Sequence, residues 1–239
     1  MTKFISILLF LIFLFQPAVK AAEKDSSNLK SIELIRSLSQ TYEKINDYTA
    51  VLIKQERLRG LLHHEEYILF KFKKPFCIYM KWLEGFGEGR EILYDPAKNE
   101  GKMVIRPHGF ITIFVPMLYL DPENSLVKKR SRHTIKEAGL GVAIKNLIDQ
   151  YDLADKKGDL KIEVKGEEIK AFFPEGKGYY AGRIITFIDQ ELNLPTHISI
   201  YDWKDNLLET ASYTQLKLNV GLTADDFNPR YPAYGLMVK

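Results

Sequence analysis

The feature that most constrains this chain is a run of segments rich in β-branched and aromatic residues, joined by connectors too short to hold a crossover helix. The first series comprises Tyr48–Leu58, Glu66–Lys73, Phe76–Trp82, Arg90–Tyr94 and Lys102–Ile105. Between them stand Arg59-Gly60, Lys74-Pro75, Gly85 to Gly89, and Asp95-Pro96 with Asn99 and Gly101, residue types that supply positive φ or fix a turn. A second series follows residue 158: Leu160–Val164, Glu168–Phe173, Tyr179–Asp189, His197–Trp203 and Leu208–Leu218. The pattern predicts an antiparallel sheet. Two of its strands are apolar on both faces. Ile68, Phe70 and Phe72 oppose Tyr67 and Leu69, and Phe76, Ile78, Met80 and Trp82 oppose Cys77 and Tyr79. A sheet with one wet face alternates cleanly, so both faces are expected to be covered, one by helices and the other by curvature around a cavity. The plain alternative is a two-layer core with ordinary surface aromatics.

Two helices flank these strands in sequence. Leu29, Ile32, Ile35, Leu38, Tyr42 and Ile45 recur every three or four residues, the face of an amphipathic helix ahead of the Asn46-Asp47 turn. A second helix is expected from about Ile135 to Tyr151, opened by the capping-box pair Thr134 and Glu137. Gly139 and Gly141 each weaken such a helix by roughly 1 kcal/mol unless close packing offsets the loss. Before it lie the uncharged run Phe110 to Leu120, broken by Pro116, and the basic run Lys128 to His133.

At the start, Lys3 precedes an apolar run from Phe4 to Phe15, then Pro17 and the small-residue site ending at Ala21. A run of twelve residues, apolar but for Ser6, falls short of the roughly twenty a membrane span needs, so residues 1–21 read as a signal peptide cleaved after Ala21. Residues 22–239 read as one exported domain. Losing Lys3 and Lys20 leaves 32 cationic against 31 anionic side chains, a net charge of +1 that excludes a general nucleic-acid binder. The single cysteine, Cys77, permits no internal disulfide and no Cys-based zinc or redox motif.

Chemistry-bearing motifs are weak. In His63-His64-Glu65-Glu66 neighbouring strand side chains point to opposite faces, so no metal set converges. Gly85-Phe86-Gly87-Glu88-Gly89 precedes a strand, where a dinucleotide fingerprint precedes a helix. Ser131, Arg132 and His133 are sequence neighbours without a nucleophile elbow. No carboxylate pair is brought together by periodicity, so no catalytic residue, metal or cofactor is expected.

The closing strands, Asp189-Gln-Glu-Leu-Asn-Leu-Pro195-Thr-His-Ile198-Ser-Ile-Tyr-Asp202 and Tyr213-Thr-Gln-Leu-Lys-Leu-Asn219-Val-Gly-Leu-Thr-Ala-Asp-Asp-Phe227, resemble those of the LolA-like superfamily of periplasmic lipoprotein carriers. So do Lys74-Pro75-Phe76 to Trp82 and Leu93-Tyr94-Asp95-Pro96, and the order of elements agrees over most of residues 28–230. Leu120 to Gly139 departs from the typical carrier and marks an uncharacterised subfamily.

The resemblance implies an α+β fold: an incurved antiparallel sheet, an unclosed β-barrel, with helices packed as a lid over a hydrophobic cavity. It implies a soluble, non-catalytic periplasmic carrier or binding protein for lipid or lipoprotein acyl chains. It also implies a monomer that meets a membrane or an envelope protein transiently. The alternative is an envelope interaction or sensory protein that docks a protein partner on its sheet. On the carrier reading Ile68, Phe70, Phe72, Ile78, Met80 and Trp82 line the cavity, and Phe110, Phe114, Met117 and Leu120 form the lid. A strand arginine, Arg57 with Arg59 as its rival, matches by order the one that ties such lids shut. Lys128, Lys129, Arg130 and Arg132, placed before a helix start, are the expected seat of an anionic headgroup.

Overall fold

The computed structural model describes residues 29–236; the expected signal peptide, residues 1–21, lies outside the described residues. The described chain is helical from residue 29 to residue 43 (α1). A meander follows: β1 (Asp47–Leu58), β2 (Leu61–Leu62), β3 (Glu66–Lys73), β4 (Cys77–Glu84), β5 (Glu91–Tyr94) and β6 (Met103–Arg106). Next come two single-turn helices and a short strand, α2 (Ile111–Phe114), β7 (Leu118–Leu120) and α3 (Ser125–Lys128), then the long helix α4 (Leu140–Lys156). A second meander closes the fold: β8 (Lys161–Lys165), β9 (Glu168–Phe172), β10 (Arg183–Asp189), β11 (Leu194–Tyr201) and β12 (Leu207–Leu218).

All pairings are antiparallel, and the sheet runs β7-β6-β5-β4-β3-β1-β12-β11-β10-β9-β8, with β2 paired only to β1. The ends of that path, β7 and β8, do not pair, so the barrel is unclosed. The class is α+β, as expected. Each meander is built from local hairpins, and the β1–β12 ladder alone joins them across the middle.

The inward face carries Tyr48, Ala50 and Leu52 of β1, Ile68, Phe70 and Phe72 of β3, and Ile78, Met80 and Trp82 of β4, all buried. Against it lie Ile32, Ile35 and Leu38 of α1 and Leu140, Ile144 and Leu147 of α4, spaced at helical intervals as one apolar stripe each. Near the start of α4 the aromatics fill the space completely: the Tyr48 ring stacks on Phe70 at 5.8 Å and on Phe72 at 5.2 Å.

The outer face is covered differently from the sequence expectation. Curvature around a cavity does not cover it; residues 219–236 do. Tyr79, Leu93 and Val104 on the outer side form a second core with Phe227, Tyr234 and Leu236, and the Tyr79 and Tyr234 rings stack at 3.8 Å. That is why β3 and β4 are apolar on both faces.

The second helix also starts later than its capping box suggested. Thr134 and Glu137 do form a cap, with the Thr134 N–H donating to Glu137 Oε2 at 2.7 Å, but it closes one 3-10 turn, Ile135–Glu137. Gly139, at φ 101°, breaks the chain before α4 begins at Leu140. Both glycines have packing reasons. The Leu140 N–H donates to the Tyr48 hydroxyl at 2.9 Å, so the buried tyrosine caps α4 in place of a side chain on the helix itself. A Cβ on Gly141 would stand 2.4 Å from the Tyr42 ring, so glycine permits the close crossing of α1 and α4.

Candidate functional site

Beyond the aromatic zone the inward face and its roof separate, leaving a cavity of about 680 Å³. Leu52, Met80, Ile105 and Tyr213 belong to its floor, Leu118 and Leu120 to one side, and Ile135, Ala143 and Leu147 to the roof. The roof is held at fixed height by the Tyr48 cap of α4 and by the Gly141 crossing.

One end of the cavity is polar, and cross-strand register builds it. Glu56 of β1 pairs with Glu209 of β12, which sets two carboxylates side by side although they lie far apart in sequence. Glu56 accepts from Ser131 Oγ at 3.0 Å and pairs with Lys54 at 3.2 Å. Lys54 also reaches Glu66 at 3.2 Å, and Glu66 accepts from Arg90 Nη2 at 2.8 Å and from Trp82 Nε1 at 2.9 Å. The Arg90 guanidinium lies over the Trp82 ring at 3.7 Å. Glu209 is bound by His133 Nε2 at 2.7 Å and accepts from the Tyr180 hydroxyl at 2.7 Å, which in turn accepts from Arg132 Nη2 at 3.0 Å.

The electrostatics follow from these contacts. Burial pushes Glu66 up, but Lys54, Arg90 and the indole N–H outweigh it and hold its carboxyl below the usual value. Burial likewise pulls Lys54 down, and Glu56 and Glu66 reverse the effect. The hydrogen bond to Glu209 raises His133 above the ordinary imidazole value against the pull of burial. Burial raises Glu209, and His133, Tyr180 and Arg132 overcome it. The segment carrying Ser131 and His133 is therefore clasped to β1 and β12 by charge-assisted bonds.

Of the six expected cavity residues, Met80 and Trp82 line the cavity. Ile68, Phe70, Phe72 and Ile78 sit instead in the filled core, in one buried cluster with residues of α1 and α4. Of the expected lid, Leu120 lines the cavity from β7. Phe110 and Phe114 flank or belong to α2 and are 84% and 83% exposed, while Met117 packs on the outer core. Pro116 does interrupt the run, as its missing N–H requires, so it forms a helical turn and an edge strand rather than one flap.

Arg57 ties no lid. Its Nε donates to the Leu207 carbonyl at 2.8 Å and its Nη1 to Gly60 at 2.9 Å, which fixes the β1–β2 hairpin to β12; Arg59 occupies the turn itself at φ 52°. The four basic residues do not converge either, since the helix they were expected to precede begins at Leu140. Lys128 pairs with Glu123 at 2.7 Å, Lys129 is exposed, Arg132 bonds Tyr180, and Arg130 alone faces the cavity. Sequence reasoning missed Lys54, Glu56, Glu66, Arg90, Tyr180 and Glu209. An alternating polar tail on β1, Lys54 then Glu56, is the one signal that marks part of this set. Among the described residues no group of three or more His, Cys, Asp or Glu side chains could hold a metal ion.

Residues 45–236 match the family of proteins of unknown function DUF1571. The chain belongs to the DUF1571 family. The match contains every strand and the whole cavity of this DUF1571 member. Among curated proteins none matches the chain. Solved structures similar to it include an uncharacterized conserved protein from Thermus thermophilus, at 11% identity and TM-score 0.47, covering 85% of this chain and 95% of that one. A putative outer membrane lipoprotein-sorting protein domain from Vibrio parahaemolyticus is similar at 10% identity and TM-score 0.39, over 84% and 97% of the two chains. A LolA superfamily protein from Nitrosomonas europaea is similar at 11% identity and TM-score 0.33, over 82% and 96%. At these identities the likeness is one of fold. No helix among the described residues is long and apolar enough to cross a membrane.

Proposed function

We propose that this DUF1571 protein is a non-catalytic binding protein of the cell envelope, which shelters the apolar part of a lipid or of a lipoprotein in its cavity. The observation that carries the reading is a space of about 680 Å³, walled by aliphatic side chains, in a molecule whose inward face is otherwise densely packed. Pockets of roughly 300–1,000 Å³ with apolar walls and a few convergent polar groups are the usual form of a small-molecule site. Each methylene moved there from water gains about 0.8 kcal/mol, so a sixteen-carbon chain represents about 12 kcal/mol before ordering costs. A bilayer offers a similar gain, so uptake and release turn on opening the roof. The envelope compartment is inferred from the leader read in residues 1–21.

Exposed apolar side chains beside the cavity favour a second reading, in which the protein docks an envelope protein. Phe110, Ile113 and Phe114 face solvent, and Ile111, on the same turn, is exposed at the edge of the cavity. The surface offered would then be α2 and not the outer sheet face from β3 to β6, part of which the C-terminal segment occupies. Native mass spectrometry of the full chain, expressed with its leader and recovered from the periplasm, separates the two. A co-purifying amphiphile released by denaturation supports the first, and a stoichiometric protein supports the second. Ligand-free protein that also fails to take up a long-chain fatty acid overturns the cavity reading.

A further inference from the structure

Around the polar end of the cavity two arginines keep donors that no carboxylate uses. Each carboxylate has its partner: Glu56 has Lys54 and Ser131, Glu66 has Lys54, Arg90 and Trp82, and Glu209 has His133 and Tyr180. Glu137, near the rim, accepts from Thr134 N–H, and Asp149 pairs with Lys145. Arg130 also lines the cavity, and among the described residues its side chain has no ion-pair or hydrogen-bond partner. Arg90, with a side chain only 13% exposed, uses Nη2 on Glu66 and leaves its Nε buried without a partner. A guanidinium carries five donors, and a buried one left unmade costs the full loss of its hydration.

We propose that the cavity takes an anionic amphiphile, whose carboxylate or phosphate sits between Arg130 at the mouth and Arg90 within, its chain lying along the aliphatic wall toward Ile105 and Leu120. This rests on the binding reading above and adds the chemical class of the ligand. A planar fork facing an oxyanion group makes the strongest hydrogen bonds a side chain offers, and Arg suits both headgroups. Burial is the main pull that lowers Arg90, Glu66 opposes it, and the like charge of Arg130 adds a smaller pull in the same direction as burial, which an anion between the two arginines relieves. A cationic headgroup is disfavoured at Glu56, Glu66 and Glu209, because to reach them it would have to displace Lys54, Arg90 or His133 from partly buried contacts. The basic run contributes one side chain to this seat, where the sequence alone suggested four.

Trp82 reports on the site directly, since its ring carries Arg90 and lines the cavity. The protein has two tryptophans, so in the full chain carrying Trp203→Phe the tryptophan fluorescence, excited beyond the tyrosine absorption, comes from Trp82 alone. This protein is titrated with dodecanoate, dodecyl phosphate and the uncharged monododecanoyl glycerol, each below its micelle concentration. Both anions are expected to bind about tenfold tighter than the glyceride, or ~1.4 kcal/mol. Salt should narrow the gap. Arg130→Gln, a change at an exposed position that leaves the fold intact, should bring the anions down to the glyceride and leave the glyceride unmoved; Arg130→Lys should restore part of the difference. Tighter binding of the phosphate assigns the seat to phosphate headgroups, and tighter binding of dodecanoate assigns it to free carboxylates. If the three ligands bind alike, or if Arg130→Gln weakens all of them equally, the anionic seat is wrong while the cavity reading stands. If none binds, both fall.

Discussion

One strand, β1, crosses two regions with opposite packing. At its start Tyr48 is fully buried in stacked rings beneath α4, and at its end Lys54 and Glu56 face a hollow. The same sheet and the same helix α4 bound both regions, so the hollow is not a consequence of poor fit along the whole interface. The filled end fixes the height of the roof, and the hollow end uses the gap that height leaves. Rigidity and room are thus divided along a strand of twelve residues.

The comparison predicts unequal costs for similar truncations. Phe70→Ala, at the filled end, should cost about 3–5 kcal/mol in chemical denaturation, because the stacked rings around it cannot collapse into the void. Leu120→Ala, on the cavity wall, should cost about 1 kcal/mol, since it enlarges an existing space and leaves no new one. Equal costs would mean that the hollow end is as tightly packed as the filled one. A sharper test reverses a sign. Glycine to alanine within a helix normally gains up to about 1 kcal/mol, but Gly141→Ala should lose about 1–3 kcal/mol because the methyl meets Tyr42. A stabilised Gly141→Ala protein would show that the α1–α4 crossing is looser than described.

The smallest expected effect is on pH. His133, on the roof segment, faces Glu209 of β12, Tyr180, Glu137 and, at longer range, Glu56 of β1. Its pKa is raised in the folded protein, so its contribution is complete below the unfolded value near 6.5 and is lost as pH rises through the folded value. The Glu209 pKa is lowered, so its contribution is complete above about 4.5 and is lost as pH falls through its folded value. The roof should therefore be held tightest between those two folded values. Hydrogen exchange across residues 129–139, corrected for intrinsic rates, should show opening increase on the alkaline side, and His133→Gln should flatten that limb. An alkaline limb that persists in His133→Gln would assign the pH response to another group.

Strand existence was legible because it is local: Glu66–Lys73 runs as its alternation indicates, and most other strand ends lie within three residues of the pattern. The three-residue β7 was not legible, since its pairing partner β6 supplies the ladder that defines it. Helix α4 was displaced because a sound capping box at Thr134 caps only one turn, and the glycine that ends it acts through Tyr48 on another element. The candidate site was the least legible part. Phe70 and Met80 are cross-strand partners in one ladder, yet Met80 lines the hollow and Phe70 does not; where the helices cross decides this, and alternation carries no record of it. Glu56 and Glu209 meet only through the β1–β12 register.

That central ladder has a kinetic meaning. Each meander can zip from neighbouring hairpins within its own stretch of chain, but β1 waits for β12, the last strand made. The entropy of closing so long a loop grows only with the logarithm of its length, yet it must be met before any β1–β12 contact rewards it. Until then, Leu52 of β1 and Ile198 of β11 remain without the strand that joins them. The hollow, whose floor spans that seam, is the last part of the molecule to exist, and the protein becomes able to bind only when its two halves have met.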